Sequence, residues 1–376
     1  MILPGATIGM LGGGQLGRMF VMAANSLGYR VIVLDPDADS PAGRMADEHI
    51  QTSFSDSWAI EQLAKNCQAV TTEFENIPTE TLEILEKTII VRPSSQSVTI
   101  AQNRIIEKTF LADNQFPTAR FYPVYNKEDL NFAMSQMATT CILKVATLGY
   151  DGKGQSIVNN ISEAEQAFDA MGQVACVLEE KVDLKTEISL VLARSFDGQV
   201  SCYPIGENYH VNGILEHTVV PCNLDEKLKN KVIDEAIRLA NGLEYCGVLA
   251  VEFFYTTAGK LLINEIAPRP HNSGHYTMDA CVTSQFEQQV RMLCGLPAGS
   301  TKLLTPVVMF NILGDVWENG EPDWLSLLSK PEVKLHLYGK SQAREGRKMG
   351  HFNYIGSSTE ELLKQTRLIA NSLPKP

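Results

Sequence analysis

Glu252 and Glu265 flank the turn signal Ala258-Gly259 in the stretch VEFFYTTAGKLLINEIAPRPHNSGH (251–275). Two alternating apolar runs around such a turn read as a hairpin. Folding about Ala258-Gly259 sets Glu252 directly opposite Glu265. Carboxylates facing each other across a ladder have Cβ atoms about 5 Å apart and repel. A cation between them relieves the repulsion, and paired carboxylates are the oxygen donors magnesium takes beside a substrate phosphate. A run of polar and cationic groups follows: Arg269, His271, Asn272, Ser273 and His275. One hairpin therefore offers a metal site and an anion-handling site side by side. The competing reading is two solvated surface glutamates, because a one-residue slip of register separates them.

Phosphate chemistry is offered elsewhere. The loop Gly149-Tyr150-Asp151-Gly152-Lys153-Gly154, followed by Gln155, lies between two apolar strands. A Walker loop runs from strand to helix and ends G-K-[ST]. A glycine loop between two strands is instead a flap able to close over phosphates. Lys144 sits in the preceding strand, ILKVA; burying it without a partner is costly, so a nucleotide phosphate is one partner and an edge position facing water the alternative. The apolar strand Val174–Leu178 runs into Glu179, Glu180, Lys181 and Val182, a junction whose backbone suits an adenine edge, and Glu187 suits ribose hydroxyls. Between Tyr338 and His351, positions 340–348 carry Lys340, Arg344, Arg347 and Lys348 against the single acid Glu345. Such a cluster suits a phosphomonoester, or is a basic surface loop.

Gly12-Gly13-Gly14-Gln15-Leu16-Gly17 matches G-x-G-x-x-G between a strand and a helix, and Asp35 ends the next strand. By motif alone this is a dinucleotide fingerprint. The glycines would otherwise serve tight strand-to-helix packing or another phosphate.

The elements that must position these groups fall into a regular pattern. Strands Ala6–Leu11, Tyr29–Leu34, Ala69–Thr72 and Ile89–Val91 alternate with helices near Gln15–Leu27, Trp58–Asn66 and Thr79–Leu85, which predicts a doubly wound parallel sheet. A helix at Asn103–Asn114 is broken by Phe116-Pro117. From Cys141 the pattern is strand, glycine loop, strand, helix, strand, a small α+β unit. Strands Glu187–Arg194 and Gln199–Pro204 and the hairpin then dominate, with helices at Leu228–Ala240 and Ser284–Cys294. Short strands Val307–Ile312 and Val333–Tyr338 and a helix at Thr359–Ser372 close the chain. We expect three domains: 1–103, 104–183 and 184–376. The 376 residues suffice for them, and 44% hydrophobic content is ordinary for a globular protein. A net charge of −12 argues against nucleic acid or an anionic membrane as a partner. The eight cysteines show no C-x-x-C spacing and read as reduced, buried thiols of a cytoplasmic protein. No secretory signal or membrane span is read from the sequence.

In combination, GGGQLGRM (12–19), the Lys144 strand with GYDGKGQ (149–155), EEKV (179–182) with Glu187, NEIAPRPHNSGH (264–275), and Lys340 with GRKMGH (346–351) resemble the ATP-grasp ligases end to end. Within that superfamily they resemble its ATP-dependent carboxylases of aminoimidazole ribonucleotide. The resemblance implies an α/β ATP-grasp fold: a Rossmann-like first domain without NAD, a small α+β flap domain and a C-terminal α+β domain. It implies ATP, bicarbonate and 5-aminoimidazole ribonucleotide as substrates, magnesium (two ions, with manganese as a substitute) and a homodimer. Arg104 and Lys144 would contact ATP phosphates under the flap Gly149 to Gln155. Glu179 to Val182 would frame adenine and Glu187 ribose, with His210 a further nucleotide contact. Glu252 and Glu265 would bind magnesium, accompanied by Asn264. Arg269, His271, Asn272, Ser273, Lys340 and Arg347 would hold the ribonucleotide, whose phosphate the loop Gly14, Gln15 and Leu16 would face. Asp151, Arg269 and Lys340 would serve the chemical step. One departure stands out. Many ATP-grasp enzymes carry an Asn ligand two residues after the second glutamate, and here that residue is Ala267; Asn264 is expected on the opposite strand face. Neighbouring readings are a formate-dependent ligase of glycinamide ribonucleotide and, from another class, an NAD-dependent oxidoreductase.

Overall fold

The computed structural model describes residues 1–149 and 153–373. Tyr150, Asp151 and Gly152 lie outside the described residues, so the roles expected of them are not placed.

The first domain is the doubly wound sheet the alternation predicts. Its five strands are all parallel, in the spatial order Glu48–Ile50, Arg30–Leu34, Thr7–Leu11, Ala69–Thr72 and Ile90–Val91. Helices Gln15–Ser26, Ser57–Asn66 and Thr79–Glu86 cross between strands. Ile8, Met10, Val31, Val33 and Phe20 form the core on one side of this sheet, and helix Gln285–Cys294 closes it with Val290 and Leu293. The strand Glu48–Ile50 and the helix Ser95–Gln102 carry too short or too weak a pattern to announce themselves in the sequence.

Helix Arg104–Asp113 opens the next unit, with the Asn103 side chain accepting from the N–H groups of Ile105 and Ile106. A four-stranded antiparallel sheet follows, ordered Phe121–Val124, Cys176–Glu180, Cys141–Val145 and Gln155–Val158. Helices Lys127–Gln136 and Ile161–Ala170 supply Leu130, Ala133, Ala164 and Phe168 to its core.

The remaining strands form one large antiparallel sheet. Strand Leu184–Arg194 lies at its heart, paired on one side with Gly247–Thr256 and on the other with Gly206–Val211. Leu261–Ala267 lies at one end of the strand order and Val333–Leu337 at the other. The hairpin Gly206–Val211 with Ile214–Val220 was not read from the sequence, although its turn is Asn212-Gly213 with both residues at positive φ (52° and 79°), the conformation of a type I′ turn. The expected strand Gln199–Pro204 shortens to Val200–Cys202, and the basic stretch after Gly346 turns into the strand Lys348–Ile355. All eight cysteines are free and most are buried. Among the described residues no helix is long and apolar enough to cross a membrane.

Candidate active site

The hairpin delivers the expected pair by an unexpected route. Its loop has three residues, not two: Thr256 N–H donates to Lys260 O at 2.9 Å, and Gly259 takes φ +75° inside the loop. That extra residue alone would slide Glu252 opposite Asn264. A bulge restores the pairing: Phe253 faces Ile263 while Glu252 faces Glu265, which leaves Asn264 as the inserted residue. Bulged residues escape strict alternation. The expectation that Asn264 turns to the opposite face is therefore corrected: Asn264, Glu252 and Glu265 all line one cavity. Ala267 is buried in an apolar cluster and does not line this cavity, although it borders a small adjoining pocket with Arg104 and Glu265.

That cavity has a volume of about 750 Å³ and lies among all three units. The small sheet and its linker contribute Lys144, Gly149, Lys153, Gln155, Glu179, Glu180, Lys181 and Val182. The large sheet adds Glu187, His210, Glu252, Asn264, Glu265, Arg269, His271 and Asn272. Lys340 and Arg347 line it from the C-terminal loop, Arg104 from its helix, and Gln15 and Leu16 from the first domain.

Three expected residues do not line the cavity. Gly154 lies behind it, packed on Val145. Ser273 is fully buried and reaches the cavity only through His271, whose Nδ1 is 2.9 Å from its hydroxyl. Gly14 is the third, and it decides the dinucleotide question. The buried Glu73 carboxylate accepts from Gly14 N–H at 2.5 Å and Gly17 N–H at 2.7 Å. Asp35 accepts from Gly13 N–H at 2.6 Å. An internal carboxylate thus occupies the helix N-terminus where a dinucleotide phosphate would sit, and the acidic residue of the fingerprint is spent on the loop itself. The glycines are needed because a Cβ on Gly13 would come within 2.5 Å of Ser40. Of the loop residues expected to face a ribonucleotide phosphate, Gln15 and Leu16 line the cavity.

Lys144 already has a partner, which neither sequence reading anticipated. It is buried in the interior of the small sheet, and its Nζ lies 3.1 Å from Glu179 Oε2. Lys108 Nζ approaches the same oxygen at 3.6 Å. Burial alone would raise the Glu179 carboxyl, but Lys108 and Lys144 outweigh it and hold it at about 2. The Glu179 side chain thus holds the lysines through Oε2, while its buried Oε1 has no hydrogen-bond partner.

Arg104 donates to Glu265 Oε2 and to Gly149 O, each at 3.1 Å, so it ties the flap to the carboxylate pair. Arg269 Nε donates to Glu75 Oε2 at 2.6 Å. Glu73 and Glu75 were invisible as site residues because acids after a strand end usually face water. Arg344 and Lys348 also line the cavity, so the basic stretch is cavity wall and not merely a solvated loop. Lys340 Nζ donates to Lys348 O at 2.7 Å and Arg347 to Gln342 O at 2.7 Å, which shapes this wall.

Burial first, and the facing Glu265 second, push the Glu252 carboxyl up to about 7, partly offset by His210. Glu265 lies below the usual range: burial would raise it, but Arg104 and then Arg269 outweigh that. The His271 imidazole is held neutral by burial and by Arg269. A facing carboxylate pair with an amide beside it is a hard-oxygen set that fits magnesium, which takes one or two carboxylates and completes its shell with phosphate and water. Among the described residues no three His, Cys, Asp or Glu converge as a fuller metal cage.

The strain on Glu252 predicts a stability effect. A carboxyl whose pKa is higher folded than unfolded costs stability as pH rises from the unfolded value toward about 7, and the loss is complete above that. In metal-free buffer near pH 8, Glu252→Gln is expected to stabilise the fold by about 1–3 kcal/mol. Denaturant unfolding with a chelator present checks this; a destabilised variant would mean the pair does not repel.

Three domain families cover the chain in order: the ribonucleotide synthetase preATP-grasp domain at residues 5–102, the ATP-grasp domain at 109–286, and the phosphoribosylaminoimidazole carboxylase C-terminal domain at 307–365. With the flap sheet and the hairpin carboxylates, they define an ATP-grasp ligase. The chain is 42% identical to the N5-carboxyaminoimidazole ribonucleotide synthase of Bacillus subtilis over 97% of its length and 95% of that protein's. It is 40% identical to the enzyme of the same name from Brucella melitensis, over 95% and 98% of the two chains. The chain belongs to the N5-carboxyaminoimidazole ribonucleotide synthase family. Crystal structures agree: a synthetase of this name in complex with ADP superposes with a TM-score of 0.94 at 43% identity, covering 98% of this chain and 97% of that one. The Aspergillus clavatus enzyme with ADP and 5-aminoimidazole ribonucleotide gives 0.90 at 30% identity, covering 98% of each.

Proposed function

We propose that the chain uses ATP and bicarbonate to carboxylate the exocyclic amine of 5-aminoimidazole ribonucleotide, a step of purine biosynthesis. The observation that carries this reading is the convergence, in one cavity, of the Glu252–Glu265 pair, Lys144, and the basic wall of Lys340, Arg344 and Arg347. A nucleoside triphosphate and a ribonucleotide monophosphate need such separate anion sites within reach of one another.

Arg104 and Lys144 bind the ATP phosphates beneath Gly149, Lys153 and Gln155. The backbone from Glu179 to Val182 frames adenine, and Glu187 with His210, whose Nδ1 lies 2.8 Å from Glu187 Oε2, takes the ribose. Glu252, Glu265 and Asn264 hold magnesium, which when bound offsets charge on the phosphates. Arg269, fixed by Glu75, orients bicarbonate so that one oxygen attacks the γ-phosphorus while the β–γ bridging oxygen leaves with ADP. The resulting carboxyphosphate breaks its C–O bond, phosphate departs with the electron pair, and the amine nitrogen takes the carbon as CO₂ and loses a proton. His271, Asn272, Lys340 and Arg347, with Gln15 and Leu16, hold the ribonucleotide so that its amine meets that carbon. The closed site keeps water from carboxyphosphate. A cytoplasmic homodimer completes the reading.

Purified protein is expected to release phosphate from ATP only with magnesium, and faster when aminoimidazole ribonucleotide is added, with no change in NADH fluorescence. Phosphate release indifferent to the ribonucleotide, or NADH binding, would contradict it.

A further inference from the structure

The bulged strand that carries Asn264 and Glu265 lies at the end of the sheet order, and an edge strand leaves one row of backbone groups without a ladder partner. A bulge on such an edge is free to slip unless something fixes it. In this molecule helix Arg104–Asp113 and the segment after it supply that fixing from side chains and backbone together. The Glu107 carboxylate accepts the N–H of Ile266, next to Glu265, at 2.8 Å. Ile263 N–H, on the other side of the bulge, donates to Pro117 O at 2.6 Å. The Thr118 hydroxyl donates to Ile263 O at 3.1 Å and is itself held by Lys108 Nζ at 3.0 Å.

Glu107 and Lys108 are each only 2% exposed. Neighbouring ionisable residues on a helix are seldom both buried, and burying them costs stability unless each is matched. Here the match is specific. Lys108 also approaches Glu179, the carboxylate that holds Lys144. Glu107 thus grips the carboxylate hairpin directly, and Lys108 reaches it through Thr118 while also approaching the partner of Lys144.

We propose that Glu107, Lys108 and Thr118 are positioning residues for the divalent-cation site: they clamp the outer edge of Leu261–Ala267 on both sides of the Asn264 bulge, and so set the direction of Glu265 and Asn264 into the cavity. The inference rests on the metal reading of the Glu252–Glu265 pair. Groups that orient a metal ligand typically change metal affinity or activity by about 10–100-fold when removed.

The test is a Mn²⁺ titration of the full chain with ADP present, read as the electron paramagnetic resonance signal of free Mn²⁺. Glu107→Leu removes the acceptor and is expected to weaken binding about 10–100-fold. Glu107→Gln removes the charge but keeps an acceptor for Ile266 N–H, and is expected to stay within about 3-fold of the parent, a residue of the size context effects leave. Thr118→Val, which deletes only the hydroxyl contact, is expected to weaken binding in the same direction and decides the matter should Glu107→Leu fail to fold. Unchanged binding in both Glu107→Leu and Thr118→Val would overturn the proposal, as would Glu107→Gln binding as weakly as Glu107→Leu, because charge and not positioning would then be responsible. Glu265→Gln serves as the reference: if it binds Mn²⁺ like the parent, the metal reading itself fails, a result separate from failure of the clamp.

Discussion

Glu265→Gln is expected to lower ATP-dependent turnover by on the order of 10³-fold or more, with the fold intact. The substitution keeps shape and keeps an oxygen for Arg104, which donates to Glu265 at 3.1 Å. It removes a charge that faces Glu252 across the ladder but is balanced by Arg104 and Arg269, so a modest loss of metal-free stability with a cooperative melt is expected. On the proposed metal reading, what it takes away is a hard anionic ligand for the cation that would offset the nucleotide's phosphate charge. Steady-state phosphate release and a thermal melt on the same preparation separate the two effects. Turnover within a few-fold of the parent would rule out the ligand role. Loss of the folded melt would make the carboxylate structural.

Lys144→Met is expected to cost both activity and stability. Glu179 has one oxygen 3.1 Å from Lys144 and 3.6 Å from Lys108, and all three residues are buried. Breaking a buried pair by removing one partner costs about 3–5 kcal/mol, and the remaining lysine should reduce this to about 2–4 kcal/mol. Turnover is expected to fall about 10²-fold or more if the lysine, which lines the cavity, meets the nucleotide phosphates as proposed. A second substitution tells the losses apart. Lys144→Gln in place of Lys144→Met keeps a neutral donor for Glu179 and should return part of the stability but none of the activity. Activity that recovers together with stability would show that Lys144 acts only through the fold.

The sequence made the parallel sheet of the first domain, the flap unit and the paired carboxylates legible, for different reasons. Alternating apolar strands and amphipathic helices leave little choice but a parallel sheet. The Glu252–Glu265 pairing was reached through two one-residue errors that cancel: a two-residue turn was assumed where there are three, and no bulge was assumed where Asn264 forms one. Asn264 accordingly looked misdirected, although it lines the cavity. The Asn212-Gly213 hairpin carried a clear turn signal and was overlooked, while its strand positions His210 in the site. Glu73, Glu75 and the Glu107–Lys108 pair could not have been found from pattern alone. Each is a charged residue whose partner comes from a distant segment: Gly17 for Glu73, Arg269 for Glu75, Ile266 for Glu107 and Glu179 for Lys108. The glycine motif alone could not show its occupant for the same reason: the Glu73 carboxylate that its N–H groups bind comes from beyond another strand.

The central claim is that phosphoryl transfer from ATP and fixation of bicarbonate on the imidazole amine happen in this one cavity. It is tested most directly by incubating the protein with magnesium, ATP, aminoimidazole ribonucleotide and ¹³C-labelled bicarbonate, and following the label into product by NMR. Label is expected on the exocyclic nitrogen of the imidazole in step with phosphate release, and absent when ATP is omitted. Phosphate release with no labelled carboxyamino product would contradict the account.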